Sequence, residues 1–97
     1  IQVGDIAYFY SLDKVTFAVT KDGKAHVVDL PLSKLEEQLD GRVFFRVNRQ
    51  FILSADSIRN IQHYFNGKAV VSVWPAYEGT IQISRERMTL LKMWLNS

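Results

Sequence analysis

Apolar residues in this chain recur mostly with period two, in short runs separated by turn dipeptides. Successive strand side chains point to opposite faces, so this alternation predicts half-buried β-structure. Ile6-Ala7-Tyr8-Phe9-Tyr10 predicts a first strand. The β-branched and aromatic run Val15-Thr16-Phe17-Ala18-Val19-Thr20 predicts a second. Asp22-Gly23 then predicts a hairpin turn into a strand over 25–28. Further on, 58–65 predicts a strand, Asn66-Gly67 a tight turn, and 69–74 its partner. Glu78-Gly79 is another turn candidate, ahead of a last strand over 80–83.

Two segments change to helical spacing. Leucines at 32, 35 and 39 share a face, Ser33 with Glu36 reads as a capping box, and Gly41 stands just past the end. In the C-terminal run Ser84 is the candidate N-cap, and Met88, Leu91 and Leu95 form a face that Leu90 and Trp94 widen. Both helices are expected to pack on the sheets. The expected fold is mainly β: small antiparallel sheets, one short internal helix and a C-terminal helix. There is no helix–turn–helix pair, so any nucleic-acid contact falls to strands and loops.

One segment breaks the pattern. Between Phe44 and Leu53 the chain sets Arg46, Asn48, Arg49 and Gln50 among apolar flanks. A buried strand does not carry so many polar groups without partners. The mix predicts a strand–turn–strand anchored by Phe45, Phe51 and Ile52, with Asn48, Arg49 and Gln50 turned outward. Arginine fits the O6/N7 pair of guanine, and asparagine or glutamine fits adenine. A polar loop tip without a partner is the plainer reading, and local composition does not separate the two.

Composition narrows the classes. At 97 residues and 47% hydrophobic, the chain is one domain with a single core and is not disordered. With no cysteine, disulfides and thiolate metal sites are excluded, which agrees with a reducing compartment and a cytoplasmic location. No apolar run approaches the ~20 residues of a membrane span, and no secretion signal is present. A first residue of Ile reads as a domain, 1–97, excised from the C-terminal part of a longer chain.

Charge is informative in its distribution. Residues 1–40 carry four lysines against seven acids, net −3, whereas 41–97 carry eight basic groups against three acids, net +5. All six arginines lie in the second part. Arginine offers a rigid fork for phosphate or base edges, so this half suggests a polyanion-binding face. An ordinary solvated surface is the alternative on charge alone.

Catalysis finds little support. His26 and His63 lie in predicted strands with no His pair at ligand spacing, the five glycines sit at turns, and Glu36-Glu37 fits a solvated helix face. No catalytic residue, metal or cofactor is expected. Three polar, mostly basic clusters fall at element boundaries, where loops carry function: Asp13-Lys14, Arg46 to Gln50, and Ser84-Arg85-Glu86-Arg87. A helix starting at Ser84 also offers free N–H groups to a phosphate. Pairing of Arg85 and Arg87 with Glu86 is the competing account. Tyr8, Tyr10 and Phe17 would suit base stacking on RNA, but their apolar neighbours favour burial.

The segment from Phe45 to Leu53, followed by Ile58 and Ile61, resembles the central motif of the LytTR DNA-binding domain, F-x-R-x-H-R-S-F/Y-L-V-N and an isoleucine-containing strand. Asp5-Ile6-Ala7-Tyr8-Phe9 is similar to the family's opening, Asp22-Gly23-Lys24 to its first hairpin, and Leu32 to Leu39 to its L-x-x-L-E-x-x-L helix. Ile83-Ser84-Arg85 resembles the segment before its last helix. These pieces run in order over nearly the whole chain.

The resemblance implies small antiparallel sheets whose loops enter successive DNA grooves. It also implies the output domain of a bacterial two-component response regulator, with a receiver domain upstream, binding direct repeats in promoters as paired copies. Carried over by position, Asn48, Arg49, Arg85 and Lys14 are candidates for base contact. Arg46, Gln50, Ser84, Arg87 and Thr16 are candidates for phosphate. Asn48 stands where the family commonly has His, Gln50 where it has Ser, Ser54 where it has Asn, and Val15 where an aromatic or polar residue is frequent, so base preference is expected to differ from relatives. The alternative of another class is a small β-domain that binds a protein or peptide along a sheet edge.

Overall fold

The computed structural model describes residues 2–97; Ile1, the first residue of the expected domain, lies outside the described residues. The strands are β1 (Ile6–Leu12), β2 (Val15–Thr20), β3 (Ala25–Val28), β4 (Phe44–Arg46), β5 (Phe51–Ser54), β6 (Ile58–His63), β7 (Ala69–Val73) and β8 (Ile81–Ile83). The helices are α1 (Leu32–Gln38) and α2 (Arg85–Leu95). A five-stranded sheet runs β3-β2-β1-β5-β4 and a three-stranded sheet runs β6-β7-β8, with every pairing antiparallel. The expected mainly β architecture is borne out.

The single core expected from chain length is in fact two, which sandwich the larger sheet. Ile6, Phe9, Ile52 and Phe44 meet Leu32 and Leu35 of α1 on one face. Tyr8, Phe51 and Leu53 meet Val71, Ile81, Ile83, Met88 and Leu91 on the other, from the small sheet and α2. Strict alternation would put Ile6 and Phe9 on opposite faces. An extra residue at Ala7 shifts the β1–β2 register between Ile6 and Tyr8, and this bulge turns Ile6 to the side of Phe9. A second shift between Ile58 and Asn60 does the same for Ile58 and Ile61, which both pack on the inter-sheet core.

Three local expectations need correction. Ser33 does not cap α1: the helix begins at Leu32 with Pro31 in the capping position, which leaves Ser33 within the first turn. Pro31 suits that start, having no N–H to satisfy and a fixed φ. The strand expected over 58–65 ends at His63, because the turn takes in Phe65 along with Asn66-Gly67. In α2, Leu90 and Leu95 are exposed rather than buried. Trp94 fills that place instead: its ring lies 5.3 Å from Phe45 and its Nε1 donates to the Gly41 carbonyl at 2.6 Å.

Candidate nucleic-acid interface

Antiparallel register decides which loops are neighbours. β1 ends at the Asp13-Lys14 turn, and β5 begins where the 47–50 loop ends, with Tyr10 opposite Phe51. The Ser11 N–H donates to the Gln50 carbonyl at 2.9 Å, so the first turn stands beside the central loop. In the small sheet Ile83, the last residue of β8, lies opposite Ala69 at the start of β7. The Asn48 side chain joins the sheets, its Nδ2 donating to the Gln82 carbonyl at 2.7 Å. All three basic clusters therefore open at one end of the molecule.

Each loop is braced. Asp13 and Lys14 take φ of +50° and +68° between the paired residues Leu12 and Val15. Two positive-φ residues are what a two-residue hairpin needs to follow strand twist. Val47 is fully buried, so the central loop is pinned before it turns outward. Asn48 Oδ1 accepts from the Gln50 N–H at 2.8 Å, closing a small side-chain turn. Arg46 reaches under the same loop, with Nε donating to the Asn48 carbonyl at 3.1 Å and Nη2 to the Arg49 carbonyl at 2.9 Å. Its Nη1 lies 3.2 Å from Glu36.

The third loop starts α2. Ser84 Oγ accepts from the Arg87 N–H at 3.2 Å, the N-cap expected from the sequence. Arg87 folds inward, donating to the Arg46 carbonyl with its guanidinium carbon 4.7 Å from the Phe45 ring centre. Glu86 is not its partner, nor that of Arg85: among the described residues neither arginine is in an ion pair. Arg46, Asn48, Arg49, Ser84 and Arg87 line one shallow depression, together with Glu36.

The candidates divide by availability. Lys14, Arg49, Gln50, Ser84 and Arg85 are exposed. Arg46, Asn48 and Arg87 are half-buried and already hold the loops together. Thr16, expected at the surface, is buried in β2 at 5% exposure and offers nothing to a phosphate in this conformation. Arg42 pairs with Asp40 at 3.1 Å at the far end of β4, away from these loops. One neighbour carries no chemical signal in the sequence. The turn between β6 and β7 reaches the same end, and its Asn-Gly pair signalled only a turn.

Comparison with known proteins follows the same outline. A family model described as the LytTr DNA-binding domain matches residues 1–96. The sensory transduction protein LytT of Oceanobacillus iheyensis is 37% identical over 54 residues, which is 56% of this chain and 22% of that protein. This chain thus spans well under half the length of that relative. Among solved structures, the LytTr DNA-binding domain of a putative methyl-accepting/DNA response regulator from Bacillus cereus superposes with a TM-score of 0.82. The match covers 100% of this chain and 86% of that one, at 18% identity. The likeness establishes the shared fold.

Proposed function

The chain belongs to the LytTr DNA-binding domain family, and from that premise we propose that it reads specific sites in double-stranded DNA as the output domain of a bacterial response regulator. One observation carries the reading of the site: exposed Lys14, Arg49 and Arg85 stand on three braced loops at one end of two sheets. Arg49 and Arg85 supply base contacts, with Asn48 framing the central loop and Lys14 entering at the first. Arg46, Gln50, Ser84 and Arg87 fix the phosphate backbone. Thr16 acts only through the hairpin it builds.

A receiver domain upstream would supply the regulatory input, in the cytoplasm, and promoter direct repeats would take two copies side by side. No helix of the described residues is long and apolar enough to cross a membrane. No catalytic step and no cofactor is assigned. The sheet-edge alternative has less in its favour. The outer strands of the large sheet are four and three residues long, and β6 at the edge of the small sheet is bulged at Arg59. Short or bulged edges are poor templates for an added strand.

The experiment is selection from random duplex DNA, followed by binding of the selected site at several salt concentrations. The expected result is a defined site whose affinity falls steeply with salt as phosphate counterions are released. Arg49→Ala should cost about 1–3 kcal/mol on that site and relax preference at one base position. An unenriched pool with a flat salt response would refute the reading.

A further inference from the structure

The β6–β7 turn lies at this same end, and none of the motifs that carry the resemblance includes it. Register carries it there: His63 pairs with Ala69, which pairs in turn with Ile83, one residue ahead of Ser84-Arg85. Its contact with Arg85 is close. Gly67 has φ +76°, and a Cβ at that position would lie 2.5 Å from Arg85 Cγ and 2.6 Å from Cδ. The aliphatic stem of Arg85 thus lies directly on the glycine backbone. Whatever Arg85 touches, the turn lies beside it.

The side chains there are unlike those of an idle turn. Phe65 is 90% exposed and Tyr64 52%, with Lys68 exposed on the other limb. One exposed aromatic needs no explanation by itself. Here it sits on a turn in which Asn66 (φ +73°) and Gly67 both take positive φ, and the Tyr64 N–H donates to the Lys68 carbonyl at 2.8 Å. The turn fixes the backbone that presents Phe65 outward, so binding has only its side chain to order. Groove walls offer apolar surface, thymine methyl groups above all, on which phenylalanine packs.

We propose that the β6–β7 turn is a fourth DNA contact, in which Phe65 packs on apolar groove surface next to the base pair met by Arg85 and Lys68 holds a neighbouring phosphate. The inference rests on the DNA-reading function above. It extends the line of contacts beyond Arg85 on the side away from Lys14.

The test compares Phe65→Ala, Lys68→Ala and Arg49→Ala with the parent on the selected duplex, with thermal unfolding of each. Phe65→Ala should weaken binding about tenfold, as expected for covering part of a phenylalanine side chain, with an unchanged melting temperature, since Phe65 buries little in the free domain. Lys68→Ala should lower the slope of log affinity against log salt by about 0.9. Parental affinity and salt slope in both turn variants, alongside a loss in Arg49→Ala, would overturn the fourth contact and leave the function standing. Failure of the parent itself to bind any selected duplex would overturn both.

Discussion

Lys14 occupies backbone space that costs it energy. A non-glycine residue at φ +68° gives up about 1–2 kcal/mol relative to ordinary conformations. Glycine would relieve that at about 0.5–1 kcal/mol of chain entropy. Lys14→Gly is therefore expected to hold or slightly raise the melting temperature while lowering DNA affinity. Calorimetry and binding on the same variant check it, and a destabilised domain with parental affinity would count against a DNA role for Lys14. Asn48 presents the reverse case. Both ends of its amide are engaged, with Gln82 and with the Gln50 backbone. Each such bond is worth roughly 0.5–1.5 kcal/mol net. Asn48→Ala should cost about 1–2 kcal/mol of stability by denaturant titration and blur selectivity at the position read by Arg49. A loss of affinity with unchanged stability would instead make Asn48 a direct base reader.

Among the elements, the 44–54 hairpin was the most legible. Its apolar flanks and polar centre announced strand–turn–strand, and β4, β5 and the outward loop formed as that pattern requires. What the pattern left open was the division of work among its polar groups. Alternation assigns a face, but a guanidinium reaches several ångströms and chooses partners from other elements. Arg46 and Arg49 look equivalent in sequence, yet one braces the loop from below and the other stands free above it. The bulges at Ala7 and Arg59 escaped for a related reason: period-two counting assumes an unbroken ladder, and an inserted residue reverses the phase. Thr16 enters the candidate set only by position in the first loop of the resemblance, and position does not reveal that its side chain turns into the buried side of β2. The bracing role of Arg46 predicts that Arg46→Lys, which keeps the charge but loses the planar fork, will weaken DNA binding without changing the salt slope. Glu36→Gln should do far less, since exposed pairs contribute about 0–1 kcal/mol. Parental affinity in Arg46→Lys would count against the bracing role, while the phosphate contact is read from Arg46→Ala, which should lower the salt slope by about 0.9.

For the whole molecule, the interface is only as sound as the packing between sheets. The Lys14 turn and the 47–50 loop belong to the large sheet, whereas the 84–87 junction follows the small one. Tyr8 stands between them. It is 1% exposed in the central strand, and its hydroxyl donates to the Pro75 carbonyl at 2.8 Å, tying β1 to the segment after β7. Tyr10 and Phe51 close on Tyr77 of the same segment, with ring centres 5.1 and 4.8 Å away. Burial, with smaller contributions from Tyr10 and Tyr77, pushes the Tyr8 pKa from 10.0 up to about 12. Burial, then Tyr77, also raises that of Tyr10. A phenol ionises by losing a proton, so a raised folded pKa means that the unfolded chain releases its proton first. The stabilising contribution is complete below pH 10 and drains away as pH rises from 10 through 12. Equilibrium unfolding across that window should show stability falling, with DNA affinity lost along the same curve as the sheets part. Tyr8→Phe removes the hydrogen bond, at about 1 kcal/mol at neutral pH, but also the ionisable group, so its alkaline decline should be shallower than the parent's. An equally steep decline in Tyr8→Phe would assign the alkaline transition to another group and detach it from this seam.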